Sequence, residues 1–305
     1  MRQSPHGAIL VGVDGSAAAL GAVRWAAHDA ALRNVRLTLV HAFDTPLPEW
    51  LEFAGPAGPR HSQKQRAHHL IEAAINVVEE SAGGSLQIES KLCHSAAVPA
   101  LVDLSKDAEM VVVGWRGHGR TVAHGFLGSV SSALVHHAHC PVAVIRDDHA
   151  IAANVAPAPV LVGIDGSPAS EAATAIAFEQ ASRRGVGLTA LHAWMDPRSA
   201  RSRELIQDAN WDAELSQEEE TLAERLAGWH ERYPEVGIRR RIEIGDPARW
   251  LIAASERAQL VVVGSHGCGW FSGRLLGSVG AAVVNRAKSS VIVARHGPTH
   301  GRPRT

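Results

Sequence analysis

The chain has 305 residues, 46% of them apolar and 20% charged, with a formal net charge of −1 and a pI near 7.0. That length exceeds what one hydrophobic core usually serves, which sets an expectation of two domains of roughly 150 residues, and the apolar content excludes a disordered chain. A charge this close to zero supplies no field to recruit nucleic acid or an anionic membrane surface, and no apolar run approaches the roughly 20 residues of a membrane span.

Taken in chain order, short β-branched runs alternate with longer amphipathic stretches, the pattern of βαβ units in a parallel sheet. The N-terminus shows no apolar signal segment and runs directly into a first strand over Ala8 to Val13. A helix over Ala17 to Leu32 follows, then a second strand over Arg36 to Ala42 and a helix over Gln63 to Glu80. A third strand over Leu86 to Leu92 and a fourth over Met110 to Gly114 precede a helix over Ser129 to His137 and a fifth strand over Pro141 to Ile145. The order then restarts. Strands fall near Val160 to Ile164, Gly187 to Ala193, Gly237 to Glu243, Leu260 to Gly264 and Ser290 to Ala294, with helices over Pro168 to Arg184, Glu204 to Arg232 and Ser278 to Arg286.

The second series repeats the first. Ile9-Leu10-Val11-Gly12-Val13-Asp14-Gly15-Ser16 returns as Val160-Leu161-Val162-Gly163-Ile164-Asp165-Gly166-Ser167. Val111-Val112-Val113-Gly114 returns as Val261-Val262-Val263-Gly264, and Leu127-Gly128-Ser129-Val130 as Leu276-Gly277-Ser278-Val279. Matching order with slight drift in spacing is the mark of a duplication with small insertions. Domains are therefore expected at 1–148 and 159–296, joined by an alanine- and proline-rich linker at 149–158 and followed by a disordered tail at 297–305. The fifth strands, Pro141 to Ile145 and Ser290 to Ala294, are apolar edges that need cover. Pairing with each other as an intramolecular pseudo-dimer, or with a second molecule as a homo-oligomer, would supply it.

In a doubly wound sheet a ligand binds beyond the carboxyl ends of the strands, where strand order reverses. With five strands ordered 3-2-1-4-5 the reversal lies between the first and fourth strands. That brings the Asp14-Gly15-Ser16 turn opposite Gly114-Trp115-Arg116-Gly117, and Asp165 opposite Gly264-Ser265-His266-Gly267. Glycines admit close backbone approach, and Gly128-Ser129 or Gly277-Ser278 opens a helix whose free N–H groups attract phosphate. Neither loop carries G-x-x-x-x-G-K-[ST] or G-x-G-x-x-G, which disfavours a P-loop NTPase and a dinucleotide fold. Each of these features alone is ordinary turn or cap chemistry. Their recurrence in the same context is what argues for a site. The cluster His136, His137, His139 and Cys140 lacks the spacing of a zinc motif, and Cys93, Cys140 and Cys268 form neither a disulfide framework nor a metal set, which fits a reducing cytoplasm. Cys268 reads as a spectator thiol, and Glu218-Glu219-Glu220 as a solvated helix face.

A first strand ending in Asp-Gly-Ser, followed after the fourth strand by G-x-x-G, nine residues and G-S, resembles the universal stress protein family in its tandem form. The second copy carries the motif in full, with Gly264, Gly267, Cys268 to Leu276, Gly277 and Ser278. The first departs from it, with ten residues, His118 to Leu127, between Gly117 and Gly128. The resemblance implies five parallel strands per domain and ATP bound with a divalent cation, magnesium, held mainly by the phosphates. Carried over, Asp14 and Asp165 would lie by the nucleoside, the backbone of Ala42 and Ala193 by adenine, and Gly114 and Gly264 by the ribose. Gly117, Gly128, Ser129 and Val130, and likewise Gly267, Gly277, Ser278 and Val279, would hold the phosphates. The expected function is regulatory: an ATP-binding stress-response protein whose nucleotide state controls its contacts with a downstream protein. A slow ATPase drawing on Arg116, His118, Arg120 or His266, and a nucleotide-free chaperone-like module, are the alternatives. No catalytic constellation is recognisable.

Overall fold

The computed structural model describes residues 7–43, 59–82, 86–117, 127–146, 158–194, 211–267 and 276–295. The chain divides into two compact units, Met1–Asp148 and His149–Thr305. The tail at 297–305, the linker at 149–157, Cys268 and most of both glycine-flanked loops lie outside the described residues.

In the first unit, strands β1 (Ala8–Gly12), β2 (Leu37–Ala42), β3 (Ile88–Cys93), β4 (Ala108–Gly114) and β5 (Val142–Ile145) lie in the order β3-β2-β1-β4-β5. Every pairing among them is parallel. The interior strands are buried on both faces and read as continuous apolar runs, Ala-Ile-Leu-Val in β1 and Met-Val-Val-Val in β4. The edge strand β3 instead reads Ile-Glu-Ser-Lys-Leu-Cys and exposes its middle residues, the charged edge that discourages strand addition. Helices α1 (Ala17–Arg33) and α2 (Pro59–Ala82) pack together on one face, and α3 (Ala97–Leu104) and α4 (Ser129–His137) pack together on the other.

The second unit repeats this frame. Strands β6 (Val160–Gly163), β7 (Leu188–Trp194), β8 (Ile238–Ile244), β9 (Leu260–Gly264) and β10 (Ser290–Ala294) run β10-β9-β6-β7-β8, again with parallel pairing. Its helices are α5 (Pro168–Arg184), α6 (Trp211–Arg232), α7 (Pro247–Ser255) and α8 (Ser278–Arg286). Phe178 of α5, fully buried, stacks on Trp229 of α6 with 5.8 Å between ring centroids and on Tyr233 at 5.9 Å, which fixes the two helices to each other.

The expected strands coincide with the observed ones to within two residues at each end. Residues 204–210 of the helix expected from Glu204 lie outside the described residues. Helices α3 and α7, between the third and fourth strands, are additional to the six read from sequence. The acidic run is not uniformly solvated. Glu219 and Glu220 are exposed, but Glu218 turns inward, its carboxylate 3.3 Å from His192 Nε2.

Candidate functional site

Each unit builds the same turn at the end of its first strand. Asp14 Oδ1 accepts from the Ser16 backbone N–H at 2.9 Å and from its hydroxyl at 2.6 Å, while Ser16 Oγ accepts from Ala19 N–H at 3.1 Å and caps α1. In the second unit Asp165 Oδ1 accepts from Ser167 N–H at 2.9 Å, and Ser167 Oγ caps α5 by accepting from Ser170 N–H at 3.1 Å. The intervening glycines sit at φ +83° (Gly15) and +79° (Gly166), left-handed values that select glycine. The second strand is tied to this turn by a histidine. His41 Nδ1–H donates to Val13 O, and His192 Nδ1–H to Ile164 O, both at 2.7 Å.

The turn and the loop after the fourth strand meet. A Cβ on Gly117 would lie 2.4 Å from Asp14 Oδ2, and one on Gly267 2.5 Å from Asp165 Oδ2, so these glycines exist to let the carboxylates in. Ser167 Oγ also reaches the His266 carbonyl at 3.3 Å. The far end of each loop returns to the same place. Gly128 N–H donates to Trp115 O at 2.9 Å, and Gly277 N–H to Ser265 O at 2.7 Å. The extra residue of the first loop leaves both anchor points unchanged, and residues 118–126 lie outside the described residues.

Beyond these anchors, α4 and α8 begin at Gly128 and Gly277. Among the described residues no side chain caps their first-turn N–H groups, in contrast to the serine caps of α1 and α5. The open donors and the positive end of the helix dipole point toward the Asp-Gly-Ser turn's side of the sheet, an arrangement suited to an anion.

In the second unit these parts enclose a cavity of about 490 Å³. All seven residues singled out there, Asp165, Ala193, Gly264, Gly267, Gly277, Ser278 and Val279, line it. Ser170 and His266 also line it, and its apolar side was not read from sequence: Leu191 of β7 and Val263 of β9, with Pro247 and Leu251 of α7. Leu251 reaches the cavity floor because Gly163 leaves room, a Cβ there standing 3.0 Å from Leu251 Cδ1. The equivalent pair in the first unit is Gly12 and Leu101, at 3.5 Å. Asp246-Pro247, an N-cap whose carboxylate accepts from Ala248 N–H at 2.9 Å followed by proline at the first helical position, was the available signal for α7.

Gly114 and Gly264 have a cause besides ligand approach. A Cβ on Gly114 would stand 2.6 Å from Ala18 O, and one on Gly264 2.9 Å from the carbonyl carbon of Ala169, so each glycine lets the first helix of its unit close onto the fourth strand. Around the anchors the side chains differ between units. Trp115 lies between two guanidinium groups, with Arg116 Cζ 4.1 Å and Arg146 Cζ 3.9 Å from its ring centroid. The second unit has Ser265 and His266 in place of Trp115 and Arg116, with Ser265 Oγ 2.9 Å from His266 Nδ1.

The residues of the histidine cluster point to different partners. His136 Nδ1–H is committed to Ser132 O at 2.7 Å, and Cys140 is buried, while the backbone N–H of His139 donates to Ser105 Oγ at 2.9 Å. Among the described residues no group of three His, Cys, Asp or Glu side chains lies together. Among them, too, no helix is long and apolar enough to cross a membrane.

The profile of the Universal stress protein family matches residues 6–146 and again 158–295. The chain belongs to the universal stress protein family. It is 51% identical over 293 residues to a universal stress protein of Mycobacterium tuberculosis strain H37Rv, covering 95% of this chain and 97% of that one. A universal stress protein of Mycolicibacterium smegmatis is 45% identical over 294 residues, covering 94% and 96% respectively. Among solved structures, a universal stress protein of Archaeoglobus fulgidus superposes with a TM-score of 0.67 over 95% of this chain and 98% of its own, at 19% identity. That similarity concerns the fold. The universal stress protein described here is thus of the tandem type, with one family domain in each unit.

Proposed function

We propose that this universal stress protein binds ATP in the carboxyl-end site of its units, with magnesium carried on the phosphates, and that occupancy regulates its contacts with a downstream protein. The observation that carries the reading is the second unit's cavity. Its volume of about 490 Å³ is of the size of small-molecule sites. It joins an apolar floor, a carboxylate and an uncapped helix N-terminus on one concave surface.

The parts divide the ligand by chemistry. Leu191, Leu251 and the Ala193 backbone offer an apolar slot and peptide groups for adenine. Asp165 presents a second carboxylate oxygen for a ribose hydroxyl, its Oδ1 being held by Ser167 N–H. The N–H groups of Ser278 and Val279, behind Gly277, face the place for phosphate. Magnesium would neutralise phosphate charge, and the site supplies it no cage of carboxylates, so its ligands are phosphate oxygens and water. In the first unit Asp14, Ala42, Gly117, Gly128, Ser129 and Val130 occupy the corresponding positions.

The deciding experiment is denaturing release of ligand from protein purified without added nucleotide, with identification by mass, followed by calorimetric titration of emptied protein with ATP and magnesium. Recovery of ATP, or saturable binding near one or two per chain, supports the reading. An emptied protein that shows no heat with ATP overturns it.

A further inference from the structure

The second unit carries another concavity, at the amino ends of its strands and thus at the opposite end of the sheet from the Asp165 site. It encloses about 560 Å³ beneath α7. The strand register explains the lining. Leu161 pairs with Thr189, Thr189 with Arg239 and Leu191 with Arg241, so Leu161, Thr189, Arg239 and Arg241 share the face of the sheet that α7 covers. From α7 and the turn after it come Trp250 and Arg257. Small residues, Ala253, Ala254 and Ala258, keep the space open.

The charges of this groove are not balanced. Arg241 is paired with the Glu243 carboxylate, but the guanidinium groups of Arg239 and Arg257 make no ion pair or hydrogen bond among the described residues. Trp250 is held by its Nε1–H, which donates to Ile244 O at 2.8 Å, so the indole is a fixed wall. Two free guanidinium groups over an apolar, indole-lined floor are a recognition surface for an anion that brings an apolar body with it.

The duplication supplies an internal comparison. In the first unit the position of Arg239 is taken by Glu89, which pairs with Thr38 as Arg239 pairs with Thr189. By the spacing that relates Val111 to Val261, Arg257 corresponds to Asp107 and Trp250 to Ala100. The sister surface therefore carries carboxylates at the positions of the two guanidinium groups, Glu89 being paired with Arg36 at 2.8 Å, keeps a cation, Lys91, at the position of Arg241, and lacks the indole. Neighbouring Asp103 is engaged by Lys106 at 2.6 Å, which holds its carboxyl below the ordinary carboxylate range. Folding does not need the arginines, since the same scaffold is built without them.

We propose that the groove under α7 is a binding site, specific to the second unit, for a small organic anion: an apolar or aromatic body bearing a carboxylate, sulfonate or phosphate. The guanidinium groups of Arg239 and Arg257 take the anionic head, and Trp250, Leu161 and the alanines take the body. The site is separate from the proposed nucleotide site and does not depend on that reading.

The test uses the full chain and anilinonaphthalene sulfonate as the probe, followed by fluorescence titration, with uncharged phenylnaphthylamine as the body without the head. The sulfonate should bind saturably. The double substitution Arg239→Glu with Arg257→Asp, which installs the first unit's charges, should weaken it at least tenfold with an unchanged thermal melt. Arg257→Gln, a neutral change at an exposed turn position, should weaken it severalfold and serves if the double variant fails to fold. Gly267→Ala, in the other cavity, should leave the sulfonate affinity as it was. Equal binding of the uncharged body, unchanged affinity in the arginine variants, or loss of binding in Gly267→Ala would each overturn the assignment.

Discussion

Gly264 and Gly267 belong to one motif, yet the structure assigns them opposite consequences on substitution by alanine. Neither has a left-handed φ, so alanine is sterically acceptable to the backbone itself at both positions. At Gly264 the new Cβ would stand 2.9 Å from Ala169 C and 3.0 Å from both Ala169 O and Ser170 N. These are backbone atoms of α5, and ordinary carbon contact is roughly 3.5–4.0 Å, so helix and strand must part by more than half an ångström. Overpacking of that kind costs about 1–3 kcal/mol. At Gly267 the new Cβ meets only Asp165 Oδ2 at 2.5 Å, with Asp165 Cγ next at 3.8 Å, the far end of an exposed side chain. The carboxylate swings aside, and stability changes by no more than about 0.5 kcal/mol. What is lost is the position of the carboxylate toward a ligand. A hydrogen bond to a charged group contributes roughly 1.5–3 kcal/mol, which is roughly 10- to 100-fold in affinity. Urea unfolding and calorimetric ATP titration of both variants separate the two effects. A Gly267→Ala protein that keeps wild-type affinity, or a Gly264→Ala protein that unfolds at the wild-type midpoint, refutes the reasoning.

Three further outcomes are expected. Ser255→Ala should destabilise the second unit by about 1–3 kcal/mol in urea unfolding, because buried Ser255 Oγ accepts from Lys288 N–H at 2.9 Å and that donor is left without it. Asp29→Ala should cost the first unit about 3–5 kcal/mol by breaking the ion pair that fully buried Asp29 makes with Arg33, 2.7 Å away and nearly buried. Asp29→Gln should cost less, since the second unit makes the corresponding contact with Gln180 and Arg184 at 2.8 Å. Finally, ATP titration of the full chain should show two unequal sites, with Gly267→Ala weakening the tighter one and Gly117→Ala the weaker. Equal affinities, or a tighter first site, would show that the ten-residue loop is a working variant.

Much of this architecture was legible because its signals are local. Buried parallel strands announce themselves as unbroken apolar runs, and the charged residues of β3 and β8, Glu89 to Lys91 and Arg239 to Arg241, mark those strands as edges. The Asp-Gly-Ser turn is likewise local chemistry, carboxylate to the N–H two residues on. What escaped was set by contacts between elements distant in the chain. That Gly114 and Gly264 also make room for the backbone of α1 and α5, whose atoms close their Cβ positions, could not be read from the motif alone. Helix α3 has Ala96 at its N-cap, which makes no side-chain cap hydrogen bond, and spans eight residues, so it carries little periodic signal. Without α7, the apolar floor made by Leu251 could not be inferred, although Gly163 marked the place where something had to come close.

The two units show which part of the site tolerates change. The backbone frame is held alike in both: histidine to first-strand carbonyl at 2.7 Å, and loop glycine N–H to loop carbonyl at 2.9 and 2.7 Å. The side chains around that frame are free to differ. Above the turn glycine stands Leu70 in the first unit and the Arg225 guanidinium in the second, and beside the loop stands Trp115 between two arginines in one and Ser265 with His266 in the other. A site that recognises phosphate through peptide N–H groups can survive such divergence, because the donors belong to the backbone. Electrostatic differences then accumulate in the surroundings without destroying the seat, and they bear on affinity rather than on whether a seat exists. The same logic extends to the amino ends of the strands, where one unit has Glu89 and Asp107 and the other Arg239 and Arg257 at matching positions with the same strand register. The two halves share one folding frame, and with stability secured by that frame the surface charges at these positions can differ in sign between them.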